Sequence, residues 1–221
     1  AVAKVEAEQG AVGVLINNAG YGSEGPIEEV PMSEVRCQFE TNVFGLTTLT
    51  KLVLPGMRRQ GWGKIVNLSS MGGRLTLPGG GFYHATKYAV EAISDALRFE
   101  VRGFDIDVVI IEPGPIKTEW NEISRSSLAD VSRGGAYEEQ AEKVRKVMAR
   151  ADRPPMASKP DVVAKKIVAA VLANTPRARY PVGRGAGTLV RARRLLPAAA
   201  FDYVVKGTYG MRGRSGSRPP G

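Results

Sequence analysis

Tyr83 and Lys87 stand four residues apart in a stretch with helical apolar spacing. On a helix their side chains leave one face, one turn apart. An ammonium beside a phenol favours phenolate, so Lys87 is expected to bring Tyr83 below its free pKa of about 10. A phenol tuned in this way can give a proton to a carbonyl oxygen or take one from an alcohol. Ser70 precedes Tyr83 by thirteen residues and lies just past an apolar run at 64–68. Open parallel sheets place their chemistry at the carboxyl ends of strands, and a hydroxyl there can hydrogen-bond a reacting oxygen as charge develops on it. Ser69, nearer the strand, is the weaker candidate. His84 follows Tyr83 and is expected to point elsewhere on the helix. Cys37 and His84 are the only cysteine and histidine, which excludes a disulfide framework, a cysteine zinc cluster and a histidine-built metal centre; no metal is expected. Cys37 itself reads as a small apolar side chain packed in a helix.

These side chains need a frame, and the apolar pattern supplies one. Residues 12–17 form a short apolar run of the kind buried in a parallel sheet, ended by Asn18, Ala19 and Gly20. A helical region follows through 31–59, with Val35, Phe39, Val43, Leu46 and Leu49 near helical spacing, and Gly61 and Gly63 break it. Residues 64–68 are the next strand, 83–103 a helix, and 107–111 a third strand ending at Glu112, Pro113 and Gly114. Strand, helix, strand, helix, strand implies an α/β fold with a parallel sheet covered on both faces. Residues 115–160 lose periodicity, regain some helicity near 137–149, and read as a substrate lid in which Trp120, Ile123, Leu128, Tyr137 and Met148 can line an apolar pocket. A helix at 160–172 and a weak last strand at 178–181 close the main body, 1–187.

The 221 residues carry a net charge of +9, but unevenly. Residues 177–221 hold ten lysines and arginines against Asp202 alone, so the remainder is balanced. This excludes a uniformly basic nucleic-acid-binding domain. It makes 188–221 a basic, partly apolar extension, with Leu195, Leu196, Phe201, Val204 and Val205 among its arginines and a frayed end at 211–221. Such a segment suits peripheral contact with an anionic membrane, a subunit contact, or a cover over an apolar entrance. No window reaches the apolar length of a membrane span, and the N-terminus has no signal-peptide pattern, so a cytoplasmic protein is expected.

Taken in order, Asn17-Asn18-Ala19-Gly20 after a strand, Asn42 in a long helix, Ser70, Tyr83-x-x-x-Lys87, and Pro113-Gly114 with Thr118 resemble the classical short-chain dehydrogenase/reductase pattern. The resemblance implies a Rossmann-like, doubly wound, three-layer α/β/α sheet and hydride transfer between NAD(P)(H) and a carbonyl or secondary alcohol, with a hydrophobic substrate preferred. It implies that Tyr83 is the general acid/base, that Ser70 orients the substrate oxygen, and that Asn42 holds a water linked to Lys87. Lys87 would also hold the nicotinamide ribose. Asn18, Ala19 and Gly20 would lie along the adenosine side, with Pro113, Gly114 and Thr118 around the nicotinamide. A homodimer or homotetramer is implied as well.

Dinucleotide sites also need a Gly-rich turn between a first strand and a helix N-terminus. No such unit precedes Val12, so the chain is expected to lack the fold's first strands and the residue that separates NAD from NADP. Three alternatives stay open: a catalytically incompetent fragment, a non-enzymatic interaction protein of the same fold, and a Rossmann-like methyltransferase.

Overall fold

Residues along the central strands alternate between two cores, and this alternation sets the architecture. In the computed structural model, which describes residues 1–211, four parallel strands form one sheet in the order β1 (Val14–Asn17), β2 (Gly63–Leu68), β3 (Ile106–Pro113) and β4 (Arg179–Val182). Successive strand side chains point to opposite faces. Ile65 and Val108 therefore join Val53, Met57, Leu97 and Val101 on one side. Val66, Val109 and Ile111 join Ala170 and Val182 on the other. Each fully buried aliphatic side chain contributes about 1.5–3 kcal/mol, so both faces of β2 and β3 are committed to the interior.

The first of these layers is built by α3 (Leu46–Gln60) and α4 (Gly81–Glu100), and the second by α7 (Asp161–Leu172). The result is the expected three-layer, Rossmann-like parallel sheet. β1 forms one edge, where Ile16 is 45% exposed. It is tied to its neighbour by a buried polar chain: Asn17 Nδ2 donates to Asn67 Oδ1 at 2.8 Å, and Asn67 Nδ2 donates to Ser94 Oγ at 2.8 Å. Before β1 stands α1 (Val2–Gln9), with no strand among residues 1–13.

Three expectations are corrected. The 31–59 helix is not one α-helix: α2 (Met32–Phe39) and α3 flank a π-helical turn, Glu40–Gly45, containing Asn42. A π turn places one extra residue in the winding and is frequent at functional sites. The aperiodic start of the 115–160 segment is a helix, α5 (Glu119–Ser132), which pairs with α6 (Glu138–Ala151). Its inward face is Ser124, Leu128 and Ser132, so it docks through hydroxyls and leaves no apolar stripe to read. Cys37 is exposed on α2 rather than packed.

Beyond β4, α8 (Ala186–Leu195) and α9 (Ala198–Thr208) fold back until Tyr209 is buried with Leu128, Ala141 and Val144. Arg212, Arg214, Arg218 and most of the stretch expected to fray lie outside the described residues. Among the described residues no helix is long and apolar enough to cross a membrane, and no cluster of potential metal ligands occurs.

Candidate active site

The end of β2 positions the reactive groups. Lys87 Nζ donates to the carbonyl of Leu68, the last residue of that strand, at 2.9 Å. Two residues later Ser70 caps a 3-10 turn, Met71–Gly73, its Oγ accepting the Gly72 N–H at 3.0 Å. The same Ser70 side chain is close enough to the Tyr83 phenol to pull its pKa down. Tyr83 and Lys87 share a face of α4, with Nζ 5.8 Å from the phenol ring centroid. Ser70 from the loop after β2 and Tyr83 and Lys87 from α4 thus meet at the carboxyl edge of the sheet.

His84 does not point away from this site. Its Nδ1 lies 2.9 Å from the Gly72 carbonyl, and its ring centroid is 5.7 Å from that of Tyr83. A Cβ on Gly72 would come within 2.5 Å of the same nitrogen. The imidazole therefore braces the Ser70 loop from the helix, and glycine is what lets the loop approach.

Asn42 is buried and makes three hydrogen bonds. Its Nδ2 donates to the Tyr21 carbonyl at 2.8 Å and to Thr86 Oγ1 at 3.1 Å, and its Oδ1 accepts the Tyr21 N–H at 3.0 Å. It ties the loop after β1 to α4. A Cβ on Gly20 would lie 3.0 Å from Asn42 Oδ1 and 3.6 Å from Lys87 Nζ, so the Gly20 backbone runs directly across the Asn42–Lys87 pair.

The electrostatics differ from the sequence expectation. Burial pushes Tyr83 up to about 12; the Ser70 side chain pulls against this and the charge of Glu24 adds to it. Burial likewise brings Lys87 down to about 8, against the pull of Glu91. The net Tyr83 shift is therefore upward, the reverse of the expectation, because removing the phenol from water outweighs what pulls its pKa down.

A cavity of about 610 Å³ opens in front of these groups. Leu77, Val147, Met148, Val163 and Ile167 supply apolar wall, and the Trp120 ring lies 5.1 Å from Tyr83, tilted by 58°. Asn18, Gly20, Pro113, Gly114 and Thr118 line the same space, whereas Ala19 is exposed and outside the lining. Gly114 donates to the Val182 carbonyl at 2.8 Å, and a Cβ there would approach the Ala186 methyl to 3.0 Å. Thr118 stands at the N-cap of α5 but its hydroxyl makes no capping bond.

Residues 1–129 match the family model described as short chain dehydrogenase. This chain belongs to the short-chain dehydrogenase family. It is 34% identical over 202 residues to a probable short-chain type dehydrogenase/reductase of Helicobacter pylori, covering 91% of this chain and 73% of that protein. It is 38% identical over 208 residues to an NADPH-dependent 3-dehydrocapnine reductase of Ornithobacterium rhinotracheale, covering 91% of this chain and 71% of that protein. A crystal structure of a short-chain dehydrogenase from Streptomyces avermitilis superposes with a TM-score of 0.74 at 31% identity, covering 97% of this chain and 75% of that one. Short-chain dehydrogenases are NAD(P)-dependent oxidoreductases, and hydride transfer to or from a small carbonyl or alcohol compound is the chemistry to which this chain belongs.

The residues present fit one end of the dinucleotide. The bare Gly20 backbone leaves open the space beside Lys87 Nζ, and the uncommitted Thr118 hydroxyl lines the same cavity. These suit a ribose and a carboxamide. Among the described residues no strand and Gly-rich turn stand ahead of β1 to meet a pyrophosphate.

Glu24 and Tyr209 also line the cavity, and the sequence reading passed over both. A single acid in a loop carries no periodic signal, and Tyr209 lies in a segment whose arginines dominate its composition.

Proposed function

We propose that this site reduces the carbonyl of a largely apolar molecule, with NADPH as electron donor. One observation carries the reading: a buried phenol, held protonated by burial and sharing its cavity wall with Ser70 and Lys87, faces a space whose remaining walls are mostly aliphatic. A phenol pushed up to about 12 is a proton donor at neutral pH, which suits reduction better than oxidation. The 38% identical relative is an NADPH-dependent reductase, in line with that direction.

A nicotinamide held here would supply the hydride. Tyr83 gives its proton to the carbonyl oxygen. Ser70 holds that oxygen and stabilises the charge it gains. Lys87 would hold the ribose beside Gly20, and its ammonium is the group placed to restore the Tyr83 proton. Asn42 holds the Tyr21 loop against α4, so that Gly20 and Asn18 keep their place at the cavity rim. Thr118 offers its hydroxyl to the carboxamide, beside Pro113 and Gly114. Trp120 and the lid pair α5–α6 exclude water from one side.

The test is oxidation of NADPH and of NADH in the presence of ketones of increasing chain length. The expected result is turnover that improves with chain length and stops with Tyr83→Phe. Folded, cofactor-binding protein that reduces no carbonyl compound would exclude the reading.

Two features of the assembly belong to the same proposal. Family membership supports a homodimer or homotetramer, which sedimentation measures. Leu195, Leu196, Tyr203 and Val204 are exposed near Arg191, Arg193 and Arg194, a composition that suits peripheral contact with an anionic bilayer. Co-sedimentation with anionic vesicles should fall in a Leu195→Glu/Leu196→Glu variant; no change would count against contact through α8.

A further inference from the structure

A buried carboxyl group in a largely apolar cavity costs free energy unless something pairs with it. Glu24 is such a group: it is 8% exposed and lines the cavity that holds Tyr83. Among the described residues no donor or cation reaches its carboxyl group; the only hydrogen bond to Glu24 is from Ser127 Oγ to its backbone carbonyl, at 3.2 Å. It lies within electrostatic range of two phenols on that cavity, Tyr83 and Tyr209. The backbone of its loop is clamped from several sides. Gly25 donates to the Gly79 carbonyl at 2.8 Å, Ser124 Oγ to Gly22 O at 2.9 Å, and Gln38 Nε2 to Ser23 O at 3.1 Å. Two helices and the loop before α4 therefore hold an unpaired acid at the reactive end of an apolar pocket.

We propose that Glu24 is a specificity residue whose carboxylate receives a protonated amine that the substrate carries on the same end as its reacting carbonyl. The proposal rests on the carbonyl-reductase reading above and narrows its substrate to a long-chain amino ketone. Leu77, Met148 and Ile167 take the alkyl chain while the ammonium supplies the partner that the protein withholds from Glu24. A plain ketone of equal length would leave the carboxyl group unpaired in the closed site, and a site built for a polar partner discriminates against ligands that lack it.

Two measurements test this. In the first, kcat/KM is compared for an α-amino ketone and the corresponding ketone without the amine. Wild type should prefer the amino ketone by about tenfold or more, the size of one charge-assisted hydrogen bond, and Glu24→Gln should collapse the ratio towards one. An unchanged ratio in Glu24→Gln, or no preference in wild type, overturns the proposal while leaving the reductase reading intact. Reduction of neither ketone excludes the reductase reading instead. In that event the second measurement still decides on Glu24: calorimetric titration with decylamine and decanol. Tighter binding of the amine that is lost in both Glu24→Gln and Glu24→Ala supports the site, and equal or absent binding of the two by wild type rejects it.

Discussion

Asn42 grips Tyr21 by both sides of its backbone, accepting from the N–H at 3.0 Å and donating to the carbonyl at 2.8 Å. One side chain thereby fixes the loop that carries Gly20 and Glu24 to the helix that carries Tyr83 and Lys87. Asn42 lies in the π turn and is buried there beside Val43, between helices whose buried apolar residues include Val35 and Leu46.

Asn42→Ala leaves two buried backbone groups of Tyr21 without partners. Each such loss costs about 1–3 kcal/mol, so a fall of at least that size is expected in denaturant unfolding, together with weaker cofactor binding by calorimetry. Asn42→Asp keeps the acceptor for the Tyr21 N–H but sets a second acceptor against the Tyr21 carbonyl, so it should not restore the lost stability. Unaltered stability in Asn42→Ala would mean that the loop is held by its other contacts.

Tyr83→Phe should lower kcat by about 10²–10⁴-fold, the range for loss of a general acid, with a smaller effect on KM. Lys87, brought down to about 8 by burial, loses its positive charge as pH rises through that value. Turnover in the reductive direction is therefore expected to decline above about pH 8, and a pH profile of kcat that stays flat there would remove Lys87 from proton delivery.

How much of this was legible before the structure depends on what kind of force places each element. The strands and the Tyr83 helix are driven by continuous apolar burial, so their runs of Val, Ile and Leu announce them within a few residues. Tyr83, Lys87 and Ser70 were visible because their spacing has a direct geometric meaning on a helix and at a strand end. α5 was not, because it is docked by Ser124 and Ser127 hydroxyls on the Gly22 and Glu24 carbonyls, and serine has no periodic hydrophobic signature. The sign of the Tyr83 shift was also missed. Spacing shows that an ammonium is near a phenol but does not show how little water reaches either.

Arg179 gives the same lesson for charge. By composition it belongs to a basic tail, yet it lies in β4 and donates to Glu91 at 3.0 Å and Asp95 at 2.5 Å, with Glu112 at 3.4 Å. Glu112 and Glu91 are buried. Arg179→Met should leave Arg74 alone to neutralise two buried acids and destabilise the fold by about 3 kcal/mol or more, as removal of one partner from a buried pair does. Chemical denaturation measures it. A change below about 1 kcal/mol, the level of a surface ion pair, would show that the cluster is solvated.

The two buried acids at the site and the sheet also set how stability follows pH. Burial pushes Glu24 up to about 7, and burial with the charge of Glu91 pushes Glu112 up to about 7 despite Arg74 and Arg179. In the unfolded chain each titrates near 4.3. Below that value both states are protonated and the cost of burying a charge is absent. Between about pH 4.3 and 7 the unfolded chain releases protons that the folded chain keeps, so stability falls as pH rises, and the slope ends above the folded value. His84, lowered by burial, acts in the opposite sense as pH drops below its unfolded value near 6.5, so the total curve mixes the two. The difference between wild type and Glu24→Gln isolates one acid. Glu24→Gln should gain on wild type progressively from about pH 5 to pH 8, by on the order of 2–3 kcal/mol at the upper end. Thermal unfolding of both proteins across that range, without ligand, checks it: parallel curves would mean that the Glu24 carboxyl group is hydrated in the open cavity and bears no burial cost.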